Sequence, residues 1–204
     1  LASYDAEPTQ EQEPLSHRFN EVFGINEVFG ACTDETQVAA AALRQALTLM
    51  NARMGNVQLA DWANYPSLSI AVQKGFGEEF LNCFRSVSKL SHSACGRALL
   101  QRRAIVIEDV LEDEEFRPYR GVAARVGFRS VQSTPLLSPR GSLLGVFSTH
   151  LGRPALPSAQ QLEALGLLAE SAASAIIRLR VRNGSQSNEA ISGRAPDAAP
   201  VALS

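Results

Sequence analysis

Two pairs of short strand-like runs, each pair joined by a tight turn, constrain this chain more than any other feature. In the first pair, residues 56–62 and 68–73 alternate apolar and polar side chains around Asn64, Tyr65, Pro66 and Ser67. Alternation of this kind marks half-buried strands, and a short connection between two of them makes an antiparallel hairpin. In the second pair, residues 130–137 and 143–151 flank Ser138-Pro139-Arg140-Gly141, which carries the usual turn residues. Short helices are expected between the pairs, at 78–85 (burying Phe80, Leu81 and Phe84) and at 93–101. A buried strand at 104–107 follows, then a loop at 109–120 with little apolar periodicity and one more helical turn at 122–126.

Two longer helices bracket these elements. Asp34 with Gln37 three residues on forms a capping-box start. From there Val38, Ala42, Leu43, Ala46, Leu47, Met50 and Met54 keep helical spacing, and Gly55 is read as the stop. The closing helix starts at Pro157 and Ser158, and Leu162, Leu165, Ala169, Ala172, Ile176 and Leu179 step along it by 3, 4, 3, 4 and 3. Such a seam fits a helix packed on its own sheet or a helix that dimerises, and Leu168 and Ile177 beside it would let one helix do both. Runs of strands with helices collected to one side predict an α+β domain.

Ends and composition narrow the class. Residues 1–14 are rich in Glu, Gln and Pro, and 183–204 in Ser, Gly, Ala and Pro, so both read as disordered tails around a domain at 15–182. Asn20-Glu21-Val22-Phe23-Gly24 recurs as Asn26-Glu27-Val28-Phe29-Gly30. One short repeat is no solenoid; it reads as a local duplication that offers Phe19, Phe23 and Phe29 to the core. The formal net charge of −2 supplies no global field for nucleic acid or an anionic membrane, and neither is expected as a partner. Arg117, Arg120, Arg125 and Arg129 interleave with Glu112, Asp113, Glu114 and Glu115 as a salt-bridged face. The cysteines at 32, 83 and 95 are too few and odd for a disulfide framework. With no run near 18 apolar residues and no signal-peptide pattern at residues 1–14, a cytoplasmic location is expected.

Several segments then resemble the GAF domains of bacterial sensor proteins. They are Gly75-Phe76, Phe80-Leu81 with Phe84, Ala94-Cys95-Gly96-Arg97-Ala98-Leu99 and Val106-Ile107-Glu108-Asp109-Val110. Val131 to Leu136, Leu144 to His150 and the helix opening at Pro157-Ser158 complete the set, which spans roughly residues 34–180. The resemblance implies an antiparallel sheet of strand order 2-1-5-4-3, with the N- and C-terminal helices on one face. It implies a ligand pocket on the other face, under the connection between the third and fourth strands, here residues 109–129. A sensory role follows: a small molecule of unknown identity and no named cofactor, read out through a homodimer or a histidine kinase or other signalling partner. A dimerisation or docking module without a ligand is one alternative, and a thiol redox or free methionine sulfoxide reductase-like enzyme is the other.

Candidate site residues fall within that frame. Arg129 and Gln132 are polar on an apolar strand, Ser133 follows, and Asp109, Arg117 and Tyr119 lie in the loop that would close over a pocket. Residues 129, 131 and 133 share one strand face and 130, 132 and 134 the other. Cys83 and Cys95 are redox candidates, because one GAF-fold enzyme reduces free methionine sulfoxide with three cysteines. Residues 110–130 hold no cysteine, so the third is lacking from the expected loop and the chain is read as no enzyme. His92 and Cys95 have a two-ligand spacing but no second pair, so no metal is expected. His150 is weighed as a haem or metal ligand against a satisfied histidine at a strand end.

Overall fold

The computed structural model describes residues 24–61 and 67–192. The first helix, α1 (Ile25–Gly30), is the second copy of the short repeat and buries Ile25 and Phe29. Phe19, Phe23, the 1–14 tail and the turn residues Asn64, Tyr65 and Pro66 lie outside the described residues. Helix α2 (Glu35–Leu49) starts as the capping box requires. Asp34 accepts from the Gln37 backbone N–H at 2.8 Å, and Gln37 Oε1 accepts from the Thr33 N–H at 3.0 Å. The helix stops earlier than Gly55, because Asn51 takes the left-handed conformation (φ 47°) that asparagine tolerates. Met54, expected on the helix, and Gly55 instead lie inside strand β1 (Met54–Asp61). A Cβ on Gly55 would sit 2.7 Å from the Ser148 carbonyl oxygen and 2.9 Å from Leu43 Cδ1, so the glycine lets α2 lie close on the sheet.

The remaining strands are β2 (Ser67–Lys74), β3 (Ser86–Ser88), β4 (Ile105–Ile107), β5 (Ser130–Leu137) and β6 (Leu143–Leu151). They form one antiparallel sheet ordered β3-β2-β1-β6-β5-β4. The five strands expected in the order 2-1-5-4-3 appear as β2-β1-β6-β5-β4. The three-residue β3 is an addition, paired to the outer edge of β2.

Helix α6 (Ala159–Ser192) closes the chain. It runs past the domain boundary expected at 182, so helix occupies the first ten residues of the segment expected as a tail. Its start repeats the capping box: Gln161 N–H donates to Ser158 Oγ at 3.1 Å, and Ser158 N–H to Gln161 Oε1 at 2.9 Å. Helices α2 and α6 lie antiparallel. Arg180 makes two 2.7 Å bonds to the Glu35 carboxylate at one end, and Gln161 Nε2 donates to the Leu49 carbonyl at 2.9 Å at the other. Leu165, Ala169, Ala172, Ile176 and Leu179 of the seam are buried in this chain's own core. The seam therefore packs on its own sheet, and only Leu162 at its start stays exposed.

Two cores result, one on each face of the sheet. The first joins α1, α2 and α6 to Val57, Leu136, Leu144 and Phe147. The second lies under the short helices α3 (Glu78–Phe84), α4 (Ala94–Gln101) and α5 (Arg120–Val126), and holds Phe76, Phe80, Phe84, Phe116 and Phe128.

Candidate functional site

The second face holds a small cavity, and strand alternation builds its floor. Asn56 on β1, Ser148 on β6 and Ser133 on β5 are direct cross-strand partners, so they form one polar row across three neighbouring strands. Ser133 Oγ and Ser148 Oγ are 2.7 Å apart and hydrogen-bonded. His150, two residues along β6, points from the same face. All four are buried and line the cavity.

Aromatic rings form the roof. Phe80 and Phe84 come from α3, Phe116 from the loop after β4, and Phe128 from the residues leading into β5. Phe76 stacks on Phe80 with centroids 3.6 Å apart. The His150 imidazole stands near-perpendicular to Phe76 at 5.0 Å, Phe80 at 5.6 Å and Phe128 at 4.8 Å. The end wall is the start of α4, where Ser93, Ala94 and Cys95 line the cavity. Ser93 Oγ caps the helix by accepting from the Gly96 N–H at 3.2 Å. A Cβ on Gly96 would collide with the Ser91 carbonyl oxygen, so the glycine after Cys95 lets the helix start this close to the preceding turn.

Polar latches hold the roof down. Tyr119 Oη meets Ser91 Oγ at 2.9 Å, and Ser91 Oγ meets Ser93 Oγ at 2.8 Å. The Arg97 guanidinium on α4 reaches Asp113 at 2.9 Å and Glu115 at 3.1 Å in the loop. Arg125 on α5 pairs with Glu79 on α3.

The space left is about 20 Å³ of room for a water's centre, which suits a single water-sized group. His150 lines this space, and its Nδ1 is buried with no hydrogen-bond partner. Loss of solvent pushes the His150 pKa down to about 3, so the ring is neutral at pH 7 and carries one donor and one acceptor. An orphaned polar atom in this position is costly, and natural folds seldom keep one without a reason.

The residues singled out from sequence do not all meet here. Ser133 does, and Cys95 lines the cavity with its thiol 3.3 Å from Ser93 Oγ. Tyr119 closes the roof from behind, its ring 5.2 Å from Phe84 and 5.4 Å from Phe116. Asp109 and Arg129 pair with each other, and the guanidinium holds the Asp109 carboxyl below its usual range. Arg117 is 74% exposed beside Glu114. Gln132 faces the opposite side of the sheet, bonded to Thr134 and, at 3.3 Å, to Thr149. Gln132 and Ser133 are adjacent on one strand, so they cannot both face one cavity. Cys83 is half-buried, and all three cysteines are free. Burial pushes the thiols of Cys83 and Cys95 up, which keeps them protonated.

Sequence reasoning misses Asn56, Ser93, Ser148 and the full role of His150. A signal for them exists: Ser148 and His150 share a face of β6 opposite Ser133. The reading of His150 as a satisfied strand-end residue is corrected by its unpartnered Nδ1. Among the described residues no group of three or more His, Cys, Asp and Glu is placed to hold a metal ion. Nor is any described helix long and apolar enough to cross a membrane.

An antiparallel sheet with long helices on one face and a small cavity under short helices on the other defines a small α+β domain. The GAF domain family model matches residues 32–177, and the chain belongs to that family. Among solved structures it is similar to the GAF domain of an Acinetobacter phosphoenolpyruvate-protein phosphotransferase, at 15% identity and TM-score 0.65 over 85% of this chain and 99% of that one. A free methionine-R-sulfoxide reductase from Neisseria meningitidis, in complex with its substrate, matches at 20% identity and TM-score 0.63, over 84% of this chain and 96% of the other. A domain assigned to a two-component sensor histidine kinase of Sinorhizobium meliloti 1021 matches at 19% and 0.61, over 74% and 95%. At these identities the likeness is one of fold. No curated protein matches the sequence.

Proposed function

We propose that this GAF domain is a non-catalytic sensory module that binds a small molecule in the cavity between the polar row and the aromatic roof. One observation carries the reading: His150 lines that cavity, and its Nδ1 is buried and unpartnered. Ligand binding would satisfy it and shift the 109–129 segment, whose latches to α3 and α4 are few and polar. Similarity in fold to a histidine kinase domain and to a chemotaxis protein supports a signalling partner of that kind. Homodimerisation would use surfaces other than the buried seam of α6.

A sulfoxide-reducing reaction is not favoured. It needs an attacking thiolate and a resolving thiol, whereas Cys95 is a buried, protonated thiol and residues 110–130 supply no cysteine. The narrowness of the cavity favours one other reading, a docking module that binds no ligand.

Native mass spectrometry of the freshly purified chain tests the proposal. A reproducible excess mass that leaves on denaturation is the expected result. Bare protein mass, with a His150 ring that no metabolite fraction perturbs, would favour the docking module.

A further inference from the structure

The lining of the cavity says what kind of molecule it takes. Asn56, Ser93, Cys95, Ser133, Ser148 and His150 supply every polar side chain in it, and none carries a charge at pH 7. The charged side chains nearby are already engaged. Arg97 is held by Asp113 and Glu115, Arg129 by Asp109, Arg125 by Glu79, and Arg120 by Glu114. The Nε of Arg120 is buried without a partner, but no guanidinium or carboxylate is among the side chains that line the cavity. A carboxylate, phosphate or ammonium entering this space would lose its water and gain no counter-charge, which is prohibitive.

The hydrogen-bonding capacity left over is of both kinds. A neutral imidazole carries its donor on one nitrogen and its acceptor on the other, and the unpartnered Nδ1 of His150 leaves one of the two unused; the serine hydroxyls also keep lone pairs that can accept. Ser133 and Ser148 have two hydroxyl protons between them and spend one on their mutual bond, so one O–H remains to donate. The aromatic roof supplies apolar contact and no further polar demand.

We propose that the cavity selects a small uncharged molecule carrying both a hydrogen-bond donor and an acceptor, recognised by His150 and the Ser133–Ser148 pair. This rests on the reading of the cavity as a ligand site. It sets amino acids, carboxylates and nucleotides outside the range of ligands. The present space accepts the polar head of such a molecule, and anything larger must lift the roof at the latches.

Acetamide, acetate and acetamidinium have the same shape and differ in charge, and they test the claim directly. Each is titrated at pH 7.5 into the full chain, and the ring resonances of the histidines are followed by NMR. Acetamide should shift His150 saturably and leave exposed His92 unmoved, while the two ions bind at least tenfold more weakly. His150→Phe should abolish the acetamide-dependent protection of the chain against thermal unfolding. Ser133→Ala, a smaller change, should weaken acetamide binding with the His150 signal still present; it serves if the first variant does not fold. Acetate or acetamidinium binding as tightly as acetamide would overturn the charge selection and leave the ligand site standing. If none of the three moves His150, the selection and the ligand site both fail.

Discussion

The two faces of the sheet are built from the same strands and differ by one residue of register. On the α2–α6 face, Gln132, Thr134 and Thr149 are polar and buried, and they bond to one another. Around them lie alanines and leucines of two long helices, with Ala39, Ala42, Ala46, Ala172 and Ile176 sealed from solvent. On the opposite face, Ser133, Ser148 and His150 occupy neighbouring positions of the same strands, yet His150 is left without a partner under a roof of rings. Small side chains on two long helices can approach a sheet closely and fill space. Bulky rings from one short helix, α3, and from the segments on either side of α5 meet the sheet less completely and leave a gap. Each face keeps one orphaned group, Ser130 Oγ on the α2–α6 side and His150 Nδ1 on the other, but only His150 lies under a roof of rings and lines the cavity beneath it.

The sharpest way to break this comparison is to damage the α2–α6 face. Leu168→Ala removes a fully buried side chain from the α2–α6 core. It should cost roughly 2–5 kcal/mol by denaturant unfolding. A loss below about 1 kcal/mol would mean that this face is as loosely filled as the other.

The next test is pH. The folded-state pKa of His150 lies near 3, below the ordinary value of 6.5. The unfolded chain therefore binds the proton more readily. The stability tied to this group is complete above pH 6.5 and falls as pH drops toward 3, by about 1.4 kcal/mol per unit. Cys95, the other titratable group lining the cavity, stays protonated throughout that range. His150→Phe should flatten the slope between about pH 6.5 and 4 and leave stability at pH 7 unchanged or higher, since it deletes an unsatisfied group. An unchanged slope would show that His150 is solvated.

Polar satisfaction gives a smaller contrast. Gln132→Ala should cost about 1–3 kcal/mol, because it orphans Thr149 and Thr134 on the sealed face. Ser148→Ala, on the open face, should cost less, since Ser133 can turn its hydroxyl to the cavity. Equal losses in urea would erase the difference between the faces. The smallest effect expected is from Arg97→Ala. It should change global stability by no more than about 1 kcal/mol. It should also speed amide exchange in residues 109–126 and leave α2 and α6 unaffected, because it releases one latch of the roof. Uniform acceleration would show that the roof does not open by itself.

Much of the frame is legible in the amino-acid sequence. Asp34 with Gln37, and Pro157 with Ser158, mark helix starts correctly, because capping depends on residues within one turn of each other. The turn at 138–141 marks 130–137 and 143–151 as strands, and strand parity puts Gln132 and Ser133 on opposite faces, because side chains on a strand must switch faces. Gly55 misleads as a helix stop, since a glycine needed for close packing looks the same in sequence as one needed for a turn. The seam on α6 is ambiguous for a similar reason: periodicity tells which residues share a stripe and says nothing of what covers it.

What the sequence determined alone was local: where elements begin, which residues share a face, and membership of an α+β class. Tertiary structure decided which polar residues are spent on one another. Asp109, Arg117, Arg129 and Gln132 look as available as His150 along the chain, but three find charged partners and the fourth bonds across to β6. Whether a buried polar atom is satisfied depends on groups brought close from distant parts of the chain. For His150 those are Phe76, Phe80 and Phe128, which pack edge-on around the ring and offer Nδ1 nothing to bond.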